Sequence, residues 1–169
     1  MKPRIGKWAG IVAGLAFLDL FTKQLAVAAA AGFWTLGGNF ATLFPTYTHI
    51  ATVAPFFNLV LVFNEGISFS MFNFGGAAAR WTLTILAATI TGFVIREMLR
   101  EKDITHKYAW AIIAAGAIGN IVDRIRFGAV VDFLDFHAFG HHWPAFNIAD
   151  ALICVGVGIL VFVKKKKIR

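Results

Sequence analysis

Two aspartates set the chemistry to be explained. Asp132 stands in Val130-Val131-Asp132-Phe133 and Asp150 in Phe146-Asn147-Ile148-Ala149-Asp150, each beside a strongly apolar segment. A carboxylate at membrane depth is costly unless it is paired, protonated or reached by water. Two of them flanking one apolar hairpin suggest a shared site. Two carboxyls that hold one proton between them are a device for activating water.

Other polar residues sit in apolar surroundings, and each has two readings. Asp19 and Lys23 are one helical turn apart and share a face. They are either an ion pair that fixes helix packing or a supporting, substrate-contacting pair. Asn120, Asp123 and Arg124 lie at i, i+3 and i+4, again on one face, as a polar knot joining helices or as part of a site. Ala115 and Gly119 form a small-xxx-small pair that permits close helix approach. Asn147 and Asp150 have the spacing of a capping box, and Pro144 upstream marks a helix start. The same spacing puts the Asp150 carboxylate at the positive end of a helix dipole, with a second carboxyl nearby to hold the proton. Asp132 and Asp135, three residues apart, could form the solvated edge of a short interfacial amphipathic helix. His137, His141 and His142 raise the question of zinc, but no H-E-x-x-H spacing is present. No metal or other cofactor is expected.

The elements that must position these groups are membrane helices. The chain is 59% hydrophobic and 15% charged, against about 25% charged in soluble domains. Its mean hydropathy is +0.72. Its 169 residues allow a few spans and one modest outer element in a single domain, 1–169. The single cysteine, Cys154, excludes an intrachain disulfide. The net charge of +7 lies at segment ends rather than on one solvated face, which argues against nucleic acid as a partner.

Four apolar stretches, about 8–31, 77–99, 107–126 and 146–163, approach the roughly 20 residues a helical span requires. Lys2, Arg4 and Lys7 precede the first, Arg96, Arg100, Lys102 and Lys107 surround the second connection, and Lys164–Lys167 with Arg169 follow the fourth. These regions belong on the cytoplasmic side. The connections 32–76 and 127–145 contain no Lys or Arg and belong outside. The first span reads as retained rather than as a cleaved signal peptide, because Asp19 and Lys23 interrupt its apolar core. In the outer segment, Phe56–Phe63 is aromatic and β-branched, Asn64-Glu65-Gly66 resembles a turn, and Ile67–Phe72 alternates at period two. Trp34, Phe40, Phe44 and Tyr47 suit a membrane interface. The fold expected is an all-α membrane protein with four transmembrane helices, a small extracytoplasmic β-sheet over about 55–74, and a short interfacial helix.

Five segments together resemble the lipoprotein signal peptidase (signal peptidase II) family. They are Asp19-Leu20-Phe21-Thr22-Lys23 for D-x-x-[ST]-K and Asn64-Glu65-Gly66-Ile67-Ser68-Phe69 for N-x-G-x-[AS]-F. Residues 115–124, Ala-Gly-Ala-Ile-Gly-Asn-Ile-Val-Asp-Arg, stand for G-G-A-x-G-N-x-x-D-R. Gly128–Phe133 stands for G-x-V-V-D-F, and Pro144–Asp150 for P-x-F-N-x-A-D. They occur in the family's order over nearly the whole chain. The chain departs from the pattern at Ala115, where glycine is usual, and in a longer 33–55 segment.

The resemblance implies an intramembrane aspartic peptidase of the bacterial cytoplasmic (inner) membrane. Both termini would be cytoplasmic and the site would face outward. Its substrates would be diacylglyceryl-modified prolipoproteins, cut just before the lipidated cysteine, and it would work as a monomer in contact with membrane lipid. Asp132 and Asp150 match the catalytic pair. Asn64, Asn120, Arg124 and Asn147 match residues that shape the site, and Asp19, Lys23 and Asp123 match supporting positions. Globomycin, a cyclic lipopeptide with a hydroxyl, is the inhibitor implied. The residues alone do not prefer Asp132 over Asp123 or Asp135. They also leave open a transporter or proton relay, and an assembly subunit whose acids only join helices.

Overall fold

The computed structural model describes residues 5–32, 47–66 and 77–165. Within them the chain runs α1 (Ile5–Ala31), β1 (Thr48–Ala54), β2 (Phe57–Asn64), α2 (Ala77–Arg100), α3 (Ile104–Phe127), β3 (Val130–Ala138), β4 (His141–His142) and α4 (Ile148–Phe162). The four helices fall where the apolar stretches predict them. Trp34, Phe40, Phe44 and the 67–72 stretch lie outside the described residues.

The ends of α3 and α4 follow from local chemistry. Asp103 caps α3, its carboxylate accepting the His106 backbone N–H at 2.9 Å. Gly128 ends α3 at φ 84°, a left-handed conformation that glycine adopts without a Cβ penalty. Asn147 caps α4 in a complete capping box with Asp150.

α3 is the centre of the bundle and packs against α1, α2 and α4. Its contact with α4 is close because glycine sits at the crossing. A Cβ on Gly116 would run into the Ala149 carbonyl, and one on Gly156 into Ile113. The expected pair at Ala115 and Gly119 divides its work. Ala115 is fully buried beside Trp8, Val12 and Val94, while Gly119 accommodates the Asp19 carboxylate.

Polarity is inverted relative to a soluble fold. Asp19, Lys23, Asp123 and Asn147 are fully buried, whereas Phe17 is 67% and Phe162 85% exposed. Among the described residues, Gly6–Ala31 and Arg80–Arg100 are long and apolar enough to cross a membrane, and Ile148–Phe162 is a shorter apolar helix.

The strands form one antiparallel sheet in the order β1-β2-β3-β4. β2 pairs with β3 from Asn64↔Val130 to Phe57↔Phe136. The register shifts between Leu59 and Val62, so Val60 and Leu61 stand opposite Phe133. Such a bulge re-aims neighbouring side chains, and this one adjoins Asp132. Val27, Leu61, Phe127 and Val131 form a core that seats the sheet on the ends of α1 and α3.

Two expectations are corrected. The segment holding Asp132 and Asp135 is strand β3, not a short interfacial helix. Val130, Val131 and Phe133 favour a pleated surface, and β2 supplies the hydrogen-bonding edge they need. The outer sheet also extends beyond 55–74: β1 begins at Thr48, and β3 and β4 come from the third connection.

Candidate active site

A hairpin brings Asp132 and Asp150 together. β3 runs to a tight turn at Phe139-Gly140, where both residues have positive φ, 53° and 79°. Two left-handed residues in succession match the twist of an antiparallel pair. The chain then returns beside β3. Trp143 N–H donates to the Phe136 carbonyl at 2.8 Å, and Phe146 N–H to the Leu134 carbonyl at 3.1 Å. The Phe146 carbonyl accepts from both Phe133 and Leu134 N–H, at 3.1 and 2.9 Å. Asn147 and α4 follow at once, so the first turn of α4 starts beside Asp132.

Four amide groups hold the two carboxyls. Asp132 Oδ1 accepts from Asn147 Nδ2 at 2.7 Å, and its Oδ2 accepts from Asn64 Nδ2 at 3.0 Å. Asp150 Oδ1 accepts from Asn120 Nδ2 at 2.8 Å, and its Oδ2 from the Asn147 backbone N–H at 3.3 Å. Asn147 therefore bonds both carboxyls, one through its side chain and one through its backbone. Asp132 is 2% exposed. Burial pushes its carboxyl from 3.8 up to about 7; the Asn64 hydrogen bond opposes this and the Asp150 charge adds to it.

Beneath this pair lies a charged cluster centred on Lys23. Its ammonium lies 2.8 Å from Asp19 Oδ2 and 3.0 Å from Asp123 Oδ2, and donates to Asn120 Oδ1 at 2.8 Å. All three of its donors are thus used. With the Asn120 carbonyl turned to Lys23, its NH₂ must point at Asp150. Asp19 Oδ1 also accepts the Ala149 N–H at 2.8 Å, capping α4 from another helix. Asp123 Oδ2 accepts the Val131 N–H at 3.1 Å, holding the residue before Asp132.

The structure therefore gathers Asp19, Lys23, Asn64, Asn120, Asp123, Asp132, Asn147 and Asp150 into one connected network. Arg124 lies one turn beyond Asn120 and donates from Nη1 to the Asn120 backbone carbonyl at 3.3 Å. Asp19 and Lys23 form the expected ion pair, and the same ammonium orients Asn120. Sequence reasoning missed Val131, which acts through its backbone, and Gly116, which lets α4 approach α3.

Asp135 is not part of this network. It accepts from His142 Nδ1 at 2.8 Å, Asn58 Nδ2 at 3.0 Å and the Tyr47 hydroxyl at 3.2 Å. His137 stacks on His142 with ring centroids 4.9 Å apart, and His141 is exposed.

A family model described as signal peptidase (SPase) II matches residues 11–164. The lipoprotein signal peptidase of Paraburkholderia phymatum is 38% identical over 171 aligned positions, covering 99% of this chain and 95% of that relative. The one from Ralstonia nicotianae is 35% identical, covering 98% and 87%. The one from Azoarcus sp. is 39% identical, covering 92% and 80%. Two solved structures, both described as bacterial membrane enzymes, superpose with TM-scores of 0.71 and 0.65 at 24% and 23% identity. They cover 96% and 98% of this chain, and 96% of each solved chain. Their likeness is one of fold.

Proposed function

The chain belongs to the signal peptidase II family, proteases that remove signal peptides from prolipoproteins, and we propose that Asp132 and Asp150 are its catalytic pair. The observation that carries this reading is Asn147, whose side chain bonds Asp132 and whose backbone bonds Asp150. Two carboxyls held by one residue, with Asp132 raised by burial, suit a shared proton.

The ionised member takes a proton from a water whose oxygen attacks the scissile carbonyl. The protonated member gives its proton to the carbonyl oxygen, forming a tetrahedral diol. The C–N bond then breaks as the amine takes up a proton and the carboxyl product forms. Asp132, raised to about 7, is the member suited to hold the shared proton at rest. Its titration belongs to the pair. Asn64, Asn120 and Asn147 fix the carboxyl planes. Arg124 and Asn64 are the candidates to supply polar partners to the substrate backbone. No step requires a metal, and cleavage in excess chelator is the expected result.

The substrate is a prolipoprotein bearing a diacylglyceryl cysteine, cut just before that residue. Its acyl chains stay in the bilayer, where burial contributes about 0.8 kcal/mol per CH₂, so the protein needs only to position the peptide bond. The four helices cross the bacterial inner membrane with both ends in the cytoplasm, and the sheet lies on the outer side. The positions of Arg96, Arg100, Lys102, Lys107 and the Lys164–Lys167 run support that orientation.

The test is cleavage of a diacylglyceryl-modified prolipoprotein by the purified chain. Asp132→Asn and Asp150→Asn should each abolish it while the protein stays folded. The double variant should be no worse than either single one, since residues that act as a unit are non-additive. Appreciable turnover by either single variant would remove that residue from the catalytic role.

A further inference from the structure

Asp135 is buried, charged in character, and unused by the mechanism above. It lies three residues from Asp132 on one strand, so the two side chains leave opposite faces of β3. Its partners come from every strand of the sheet or its border: Tyr47 before β1, Asn58 in β2 and His142 in β4. Burial alone would raise its carboxyl, but the bonds from His142, Asn58 and Tyr47 outweigh this and hold it below the usual range. An ionised carboxylate can only accept. His142 therefore carries a proton on Nδ1 and donates it.

One carboxyl of the pair, Asp132, lies on one arm of a hairpin, and the other, Asp150, lies in the first turn of α4, which the second arm leads into. One arm is β3. The other is an edge segment of only two strand residues, His141–His142, followed by 143–147. The turn between them has the twist that closure needs but carries strain. Phe139 occupies the left-handed region at φ 53°, and its ring is fully exposed, so no packing offsets the strain. Among the described residues, two hydrogen bonds between side chains close the hairpin across its arms. Asn147 to Asp132 closes the root, and His142 to Asp135 closes the part nearer the turn. Between them lies the Leu134↔Phe146 bridge.

We propose that Asp135 and His142 form a positioning pair that sets the separation of the Asp132 and Asp150 carboxyls by locking the edge arm of the hairpin onto β3. The inference rests on the dyad reading above. The charge-assisted bond reinforces the backbone bonds of the hairpin near the strained turn, and the arm it tightens delivers Asn147 and the first turn of α4.

The experiment measures cleavage by purified full-length protein with His142→Ala, His142→Asn and Asp132→Asn. His142→Ala should lower kcat about 10- to 100-fold, the range expected when reacting groups are displaced by about an ångström, with KM little changed. His142→Asn, whose amide can donate from the Nδ1 position, should recover most of that loss. The alkaline titration of the protonated dyad carboxyl, followed by its infrared carbonyl band, should move down in His142→Ala because the carboxyls separate and hydrate. A role confined to stability would leave this titration unmoved in the folded fraction. Wild-type kcat in His142→Ala, a rise in KM alone, or equal loss in the Ala and Asn variants would each overturn the pair. Activity in Asp132→Asn would instead overturn the dyad on which it depends.

Discussion

Leu134 and Phe146 face each other across an isolated antiparallel bridge. That contact folds the eighteen-position separation of Asp132 and Asp150 into a closed loop, with one carboxyl on each side of its root. Asn147, next after Phe146, is thereby committed to both carboxyls at once.

Replacing Asn147 with Ala should cost activity and stability together. Loss of the cap alone costs about 1 kcal/mol. Loss of its bond to Asp132 leaves a buried carboxyl with one fewer donor. We expect turnover to fall at least as far as in an Asn64→Ala variant, with a lower unfolding temperature in detergent. Wild-type activity in Asn147→Ala would mean the bridging bonds are incidental.

Stability should depend on pH through Asp132. Its carboxyl lies at about 7 in the fold against 3.8 for an ordinary aspartate. Between these values the folded chain holds a proton that the unfolded chain has released. Stability therefore falls as pH rises through that window. Thermal unfolding of the parent should lose ground across it, and Asp132→Asn should lose less. Identical slopes in the two proteins would show that Asp132 titrates normally. Cleavage should likewise decline on the alkaline side, near pH 7, as the shared proton is lost.

Lys23→Met should be severely destabilising. It strands the buried carboxyls of Asp19 and Asp123, and removing one partner of a buried ion pair costs about 3–5 kcal/mol. Adding Asp123→Asn to Lys23→Met should restore part of the folded yield without restoring full activity, because Asn120 has lost the ammonium that orients it. A Lys23→Met protein as stable as the parent would contradict the network.

Orientation can be read by labelling. In a Cys154→Ser background, His141→Cys should react with an impermeant thiol reagent from outside intact cells, and Lys102→Cys should not. Both positions are exposed. The reverse pattern would invert the topology.

Globomycin should inhibit cleavage by placing its hydroxyl between Asp132 and Asp150, where the tetrahedral intermediate's oxygen would form. Its peptide ring would lie beneath the sheet near Asn64, with its alkyl tail in lipid. Arg124→Gln should weaken inhibitor and substrate together, and His141→Ala should change neither. Undiminished binding to an Asp132→Ala, Asp150→Ala protein, measured by calorimetry, would place the compound elsewhere.

The helices were legible because a long apolar run has few alternatives, and the observed ends fall within a few residues of the expected ones. The Asn147–Asp150 spacing carried two readings, and the capping box of one is the geometry the other requires. The Asp132–Asp135 spacing misled because a separation of three fits a helical face. The β-branched and aromatic neighbours were the better signal, but the partner strand β2 lies about seventy residues away. No local pattern links Lys23 to Asn120, which stand 97 positions apart and meet only because glycine lets α3 come close. The preference for Asp132 over Asp123 and Asp135 comes from the five motifs, not from spacing.

α4 has 15 residues, against 27 in α1 and 24 in each of α2 and α3. At 1.5 Å per residue it is about 22 Å long, short of a hydrocarbon layer of about 30 Å. A short span pulls the leaflets together around itself or draws polar ends inward. In the proposed topology, the end that carries Asp150 is where the bilayer is most easily dimpled, which would let in the water that hydrolysis consumes. Lipid thickness then becomes a control on the reaction: lengthening the acyl chains of the host bilayer should starve the dyad of its nucleophile before it harms the fold.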